Sequence, residues 1–356
     1  MQIRIFKWSL ALSLSIVFLV LSCQKQADKP ATNKRFVFHE KLSAYNFFEG
    51  DMADLKPVED VLPYELNTPL FSDYAHKARF IKLPAGEMMN YQAGELDFPE
   101  GTILIKNFFY YHDDNKAEAG RRLIETRLLV KDQEKWIVGN YEWNEAQTEA
   151  ERNILGGKKP VSWIDKEGIT QKINYVIPDN NDCKSCHKKE GYVMPIGPKP
   201  QNLNKDIIIA GNPINQLQHW QQQKALSNLE DFSDIPQLPQ WDNPESGSLD
   251  HRAKAYLDVN CAHCHSRKGP ASNTGLFLSY GESDPHRLGV FKGPVSAAQG
   301  SGQLKYNIVP GDASNSIMHY RMNSTETGIA MPELGKTIVH DEGVALIAEW
   351  INGMSR

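Results

Sequence analysis

Four cysteines constrain this chain more than any other feature. They fall in two copies of one pattern, Cys183-Lys184-Ser185-Cys186-His187 and Cys261-Ala262-His263-Cys264-His265. Thiols at i and i+3 stand one helical turn apart, with an imidazole directly after them. CxxCH is the signature of covalent c-type haem attachment. Both thiols reach the vinyl edge of a porphyrin, and the histidine lies under the iron as proximal ligand. With five cysteines and 11 histidines in the chain, chance placement gives on the order of 0.002 such patterns. Two alternatives use the same thiols. Cys183, Cys186, Cys261 and Cys264 could gather one zinc ion as four thiolates, or each CxxC could close as a thioredoxin-type disulfide. Neither employs the histidines. The pattern therefore predicts two covalently bound c-type haems, with His187 and His265 as iron ligands.

The fifth cysteine has its own context. Arg4 and Lys7 precede a mostly apolar run from Trp8 to Leu21. That is short of the roughly 20 residues of a membrane span and suits the apolar region of an export signal. Small Ser22 then precedes Cys23. Residues 1–22 resemble a bacterial lipoprotein signal, which implies that Cys23 is acylated and becomes the mature N-terminus. Residues 23–35 are polar and read as a flexible tether. The body is expected outside the cytoplasm, on a periplasmic or cell-envelope face, held to a membrane by its lipid. A composition of 40% hydrophobic and 23% charged residues fits a globular body and excludes a polytopic membrane protein. The net charge of −5, with no basic block, argues against a nucleic-acid partner.

Pattern divides the rest into an α+β arrangement. Residues 36–178 carry short β-branched and aromatic runs at 102–111, 123–130, 136–143 and 172–177, separated by turn-like clusters. In 123–130, Ile124, Thr126, Leu128 and Val130 alternate with Glu125 and Arg127, which predicts a sheet with one wet face. An antiparallel, sandwich-like β domain is expected there. Residues 179–226 hold the first haem-attachment segment, and the Pro- and acid-rich stretch 227–248 reads as a linker. From 249 to 356 the spacing turns helical. Ala253, Tyr256, Leu257 and Asn260 line one side of a helix running into Cys261. Val344, Ile347, Trp350 and Ile351 line another, with Asp341 and Glu342 at its N-terminal end.

The order helix, CAHCH, Gly269-Pro270, Met331-Pro332 and closing helix resembles a class I cytochrome c domain. By that resemblance residues 249–356 are mostly α. Pro270 offers its carbonyl to the ring of His265, and Met331 is the sixth iron ligand. Met318, Met322 and His319 are rivals for that role. The first motif departs from the layout. Met194-Pro195 follows His187 closely and makes Met194 a candidate ligand, but Pro195 or Pro198 is also wanted beneath the iron. His39, His76, His112 and His219 are the distant alternatives. His263 is expected to face solvent and His251 to lie on a helix surface. Phe108 to Tyr111 read as strand core. Arg121, Arg122, Glu125 and Arg127 read as cross-strand ion pairs in preference to haem-propionate partners.

Taken whole, the chain resembles a family of bacterial di-haem c-type cytochromes. The resemblance rests on 66–80 (LNTPLFSDYAHKARF), 96–111, 121–130, 252–265, 308–317 (IVPGDASNSI) and 331–335. It implies a protein that relays single electrons between redox protein partners. The di-haem cytochrome c peroxidases also carry two CxxCH motifs, and suggest instead a haem enzyme whose open first haem is fed by the second. Here a β domain precedes both motifs, which departs from the peroxidase layout.

Overall fold

Aromatic and β-branched runs dictate where the long strands form, because such side chains pack well on a pleated surface. The computed structural model describes residues 35–229, 231–295 and 298–355. The export signal, Cys23 and the tether up to residue 34 lie outside the described residues. Phe36–Arg356 forms one compact unit.

Ten strands come first: β1 (Val61–Tyr64), β2 (His76–Lys82), β3 (Met89–Gln92), β4 (Glu95–Asp97), β5 (Ile103–Tyr111), β6 (Arg121–Asp132), β7 (Lys135–Trp143), β8 (Ala150–Arg152), β9 (Gly157–Ile164) and β10 (Thr170–Ile177). Six of them make an antiparallel sheet in the order β1-β2-β5-β6-β7-β8, and β9 and β10 form a separate hairpin. The four runs expected as strands coincide with β5, β6, β7 and β10. The molecule is β-rich, with several antiparallel sheets.

The expected wet face of β6 is not wet, and its alternation breaks. Glu125 is fully buried. Phe108 pairs with Glu125 while Phe109 pairs with Leu123, so Ile124 is an extra residue in the ladder. This β-bulge turns Ile124 to the face opposite Leu128 and Val130. Leu128 and Val130 join Phe80, Ile105, Tyr141 and Trp143 beneath the N-terminal segment, which contributes Leu42, Phe47 and Leu55. Ile124 joins Phe108 and Tyr110 beneath the β9–β10 hairpin, which contributes Val161, Trp163, Tyr175 and Ile177. Elsewhere Tyr64, Ile81, Leu104 and Trp136 pack on Leu203, Leu217 and Trp220. Both faces of the sheet are thus covered.

Helix α1 (Asn180–Cys186) carries the first motif, and the hairpin of β11 (Lys188–Lys189) and β12 (Tyr192–Val193) follows it. Beyond lie α2 (Pro200–Leu203), the hairpin β13 (Asp206–Ile209) with β14 (Asn212–Asn215), α3 (Gln216–Gln222) and β15 (Leu226–Ser227). The stretch 227–248, expected as a linker, is packed in: β15 pairs with β3, and Leu229, Ile235 and Leu238 are buried. Its apolar residues recur every few positions between the prolines, which suits a segment laid over a core. Helices α4 (Leu249–Asn260), α5 (Pro285–Leu288), α6 (Ile317–Met322) and α7 (Asp341–Asn352) complete the chain. Ala253, Tyr256 and Leu257 of α4 share a core with Val344, Ile347, Trp350 and Ile351 of α7. The indole of Trp350 donates to Asp250 at 2.9 Å, and a Cβ on Gly343 would meet the Tyr256 hydroxyl at 2.3 Å. None of the helices among the described residues is long and apolar enough to cross a membrane.

Candidate functional site

Each motif is presented by a local signal. Asp179 caps α1 by accepting from the amides of Asn181 and Asp182, and Asp182 returns a bond to the Asp179 amide. This capping box starts a helix short enough to end at the motif itself. After His187 the chain reverses through Glu190-Gly191, both at positive φ, with Lys189 paired to Tyr192. A two-residue turn of this kind matches strand twist. It sets His187 opposite Met194. The Met194 amide donates to the His187 carbonyl at 2.7 Å, and the His187 ring donates from Nδ1 to the Met194 carbonyl, also at 2.7 Å. The bond fixes the ring's tautomer and leaves Nε2 as the basic nitrogen.

The second motif continues from α4, whose Ser248 cap accepts from the His251 amide. The amides of Cys264 and His265 both bond back to the Cys261 carbonyl, closing the turn. A Cβ on Gly269 would lie 2.2 Å from the Cys264 carbonyl oxygen, so this approach admits only glycine. His265 is buried, and its Nδ1 has no hydrogen-bond partner. Pro270, expected to accept from that nitrogen, is exposed.

Both motifs open on one cavity of about 390 Å³, lined by Cys183, Cys186, His187, Cys261, His265 and Met331 among others. A second cavity of about 1040 Å³ shares Cys186, His187 and His263 with it. Of the expected methionines, Met331 lines the first cavity, as do its rivals Met318 and Met322. Met194 lines only the second, and its side chain packs with the cluster around Trp136 and Trp220. Its backbone therefore stands on the Nδ1 side of His187, where a ligand to an iron held by Nε2 would not be. His39, His76, His112 and His219 line neither cavity, and His76 is held by Asp114 at 2.8 Å. His263 does not face solvent as expected. It lines both cavities, and its Nδ1 is buried without a partner. His251 is exposed on α4. Arg127 pairs with Glu125 and Arg122 with Glu145, while Arg121 donates to the carbonyls of Ala53 and Asp54.

Burial sets the ionisation of the motif side chains. Burial pushes His187 down to about 3, partly offset by the Met194 carbonyl, and pushes His265 down to about 4. Both are neutral imidazoles at neutral pH, the form that binds a metal. Burial also raises Cys183 and Cys264 to about 11 and Cys261 to about 12. Thioredoxin-type exchange needs the opposite shift. The four described cysteines are free thiols. Among the described residues no three His, Cys, Asp or Glu side chains converge as a chelate.

The Glu190-Gly191 turn, legible as a loop signal between Lys188 and Val193, would have identified the Met194 carbonyl as the partner of His187. No protein family, curated protein or solved structure matches the chain.

Proposed function

We propose that the protein is a di-haem c-type cytochrome, tethered at the cell envelope through Cys23, that passes single electrons between redox protein partners. One observation carries the reading: both CxxCH segments line a single cavity, each with a neutral motif histidine. Cys183 with Cys186, and Cys261 with Cys264, would hold the two porphyrins as thioethers. His187 and His265 would bind the irons, the first oriented by the Met194 carbonyl. Met331 is the sixth ligand that the class I resemblance assigns to the second haem, with α4 and α7 as that domain's terminal helices. Bound haem supplies reversible one-electron chemistry. The surrounding Leu257, Leu276, Leu278, Ile317 and Val344 would exclude water and so lower the cost of reorganisation around each iron.

The test is production of the full chain in a host competent for cytochrome c maturation. The expected result is a mass increase of two covalent haems, a reversible reduction spectrum and no carbon monoxide binding at the second haem. Absence of covalent haem overturns the reading. Carbon monoxide binding at one haem converts it to that of an enzyme with an open first site.

A further inference from the structure

One face of the six-stranded sheet gathers four half-buried basic side chains, only one of which has a carboxylate partner. Register places Arg79, Lys106 and Arg127 side by side on β2, β5 and β6, with Lys77 in the adjacent row. Like charges directly opposite one another are unfavourable in a sheet, and buried cations without counter-ions more so. Arg127 is neutralised by Glu125, whose carboxylate also accepts from the Tyr175 hydroxyl at 2.6 Å. Among the described residues, Lys77, Arg79 and Lys106 pair with no carboxylate. Lys77 donates to the Ala75 carbonyl, and Arg79 to the Lys77 carbonyl at 3.3 Å. Lys106 stands 4.9 Å above the Phe108 ring, and Arg127 covers the same ring at 4.2 Å.

Lys106 and Arg127 line the cavity that holds Cys183, Cys186 and His187. The carboxylates lining that cavity are already engaged. Asp73 accepts from Thr337, Asp182 from the Asp179 amide, and Glu333 pairs with Arg321. The buried Nε of Arg127 has no acceptor. A strip of basic side chains, an orphaned donor and cavity carboxylates that are already engaged describe a place for an anion supplied from outside the polypeptide.

We propose that Lys106 and Arg127 form a binding site for a carboxylate facing the first CxxCH motif. Two sources share this chemistry: the propionates of a haem held at Cys183 and Cys186, or a small free carboxylate that enters the cavity. The proposal rests on the di-haem reading. Burial together with Arg79 and Arg127 holds Lys106 well below the usual lysine range, so an arriving anion would restore its charge.

The test uses the full-length haem-loaded protein, its Lys106→Gln and Lys106→Arg variants, and a Cys183→Ala/Cys186→Ala variant that identifies the first haem's signals. Resonance Raman reads the propionate bending modes, potentiometry reads the midpoint potential, and sodium formate is the free-carboxylate probe. If the propionates occupy the site, Lys106→Gln shifts the first haem's propionate mode and lowers its potential. Lys106→Arg restores both, and formate changes neither. If a free carboxylate occupies it, formate perturbs the first haem of the unaltered protein saturably, and Lys106→Gln weakens that response at least tenfold. Should glutamine disturb haem loading, Lys106→Met keeps the stem's contact with Phe108 and is read in the same way. A loaded variant that changes neither the propionate mode nor any formate response overturns the proposal alone. A chain that takes up no haem overturns the di-haem reading first, and is recognised by its mass.

Discussion

At the scale of single residues, two methionines separate by the atom they offer. Met194 meets His187 through its backbone carbonyl at 2.7 Å, and its thioether packs in a cluster away from the shared cavity. Met331 lines that cavity. Removing the Met194 side chain should leave the ligation of both haems unchanged. It should cost about 1–2 kcal/mol of stability, because the side chain is only partly buried. Met331→Ala should instead lower the midpoint potential of the second haem alone, since loss of a thioether ligand favours the ferric state. Potentiometry with near-infrared magnetic circular dichroism checks both variants. A changed axial-ligand signature of the first haem in Met194→Ala would show that the thioether, and not the carbonyl, is what Met194 contributes.

At the scale of elements, α7 is held against α4 by a close approach that tolerates no extra atom. A Cβ on Gly343 would lie 2.3 Å from the Tyr256 hydroxyl and 2.6 Å from His340 Nδ1. Gly343→Ala should therefore destabilise the fold by about 1–3 kcal/mol through overpacking, read as a lower urea midpoint at unchanged slope. His340, the residue just before α7, bonds the Tyr256 hydroxyl at 2.9 Å through Nδ1. Burial pushes its imidazole from 6.5 down to about 4. Between those values the unfolded chain binds a proton that the folded one refuses. The stability held by neutral His340 is thus complete above the unfolded value and falls as pH drops towards 4, by at most about 3 kcal/mol. His340→Asn keeps an acceptor for Tyr256 and should flatten the loss between pH 6.5 and 4.5. An equal slope in that variant means that other histidines carry the effect. Helices α4 and α7 were legible because their apolar residues keep a single helical period. β6 was only half legible: a bulge at Ile124 has no signature in a string of alternating residues. β9, at Gly157–Ile164, was missed because its two lysines, glycine and proline read as loop until Val161 and Trp163 are seen packed on Phe108 and Tyr110.

At the scale of the whole molecule, the sheet and the C-terminal helices are joined by polar contacts that pattern could not foretell, since they depend on residues far apart in the chain. Asp73, 3% exposed, accepts from the Thr337 amide at 2.7 Å and its hydroxyl at 2.8 Å. Tyr74 donates to Glu342, Lys199 to Asp258, and the Phe71 amide to Asn260. Two of these partners, Asp258 and Asn260, lie just before the second motif, so the join runs through the walls of the shared cavity. Asp73→Ala should cost about 2–3 kcal/mol, because it strips a buried acceptor from two donors of Thr337. The motifs were legible from five residues each, but their convergence on one cavity was not, because 78 positions of sequence separate them. That convergence carries the last expectation. Burial raises the Cys264 thiol, and proximity to Cys186 raises it further, so one cysteine of each motif lies within electrostatic reach of the other. If each motif holds a haem as proposed, the two irons would not titrate independently, because reducing one would remove a positive charge from the field of the other. In the full protein the second haem's midpoint should therefore depend on the oxidation state of the first. Cys183→Ala/Cys186→Ala, which lacks the first haem, should give a single Nernstian wave for the second at a shifted potential. A second-haem wave that is superimposable with and without the first haem would mean that the shared cavity does not couple them, and that each exchanges electrons with its partners alone.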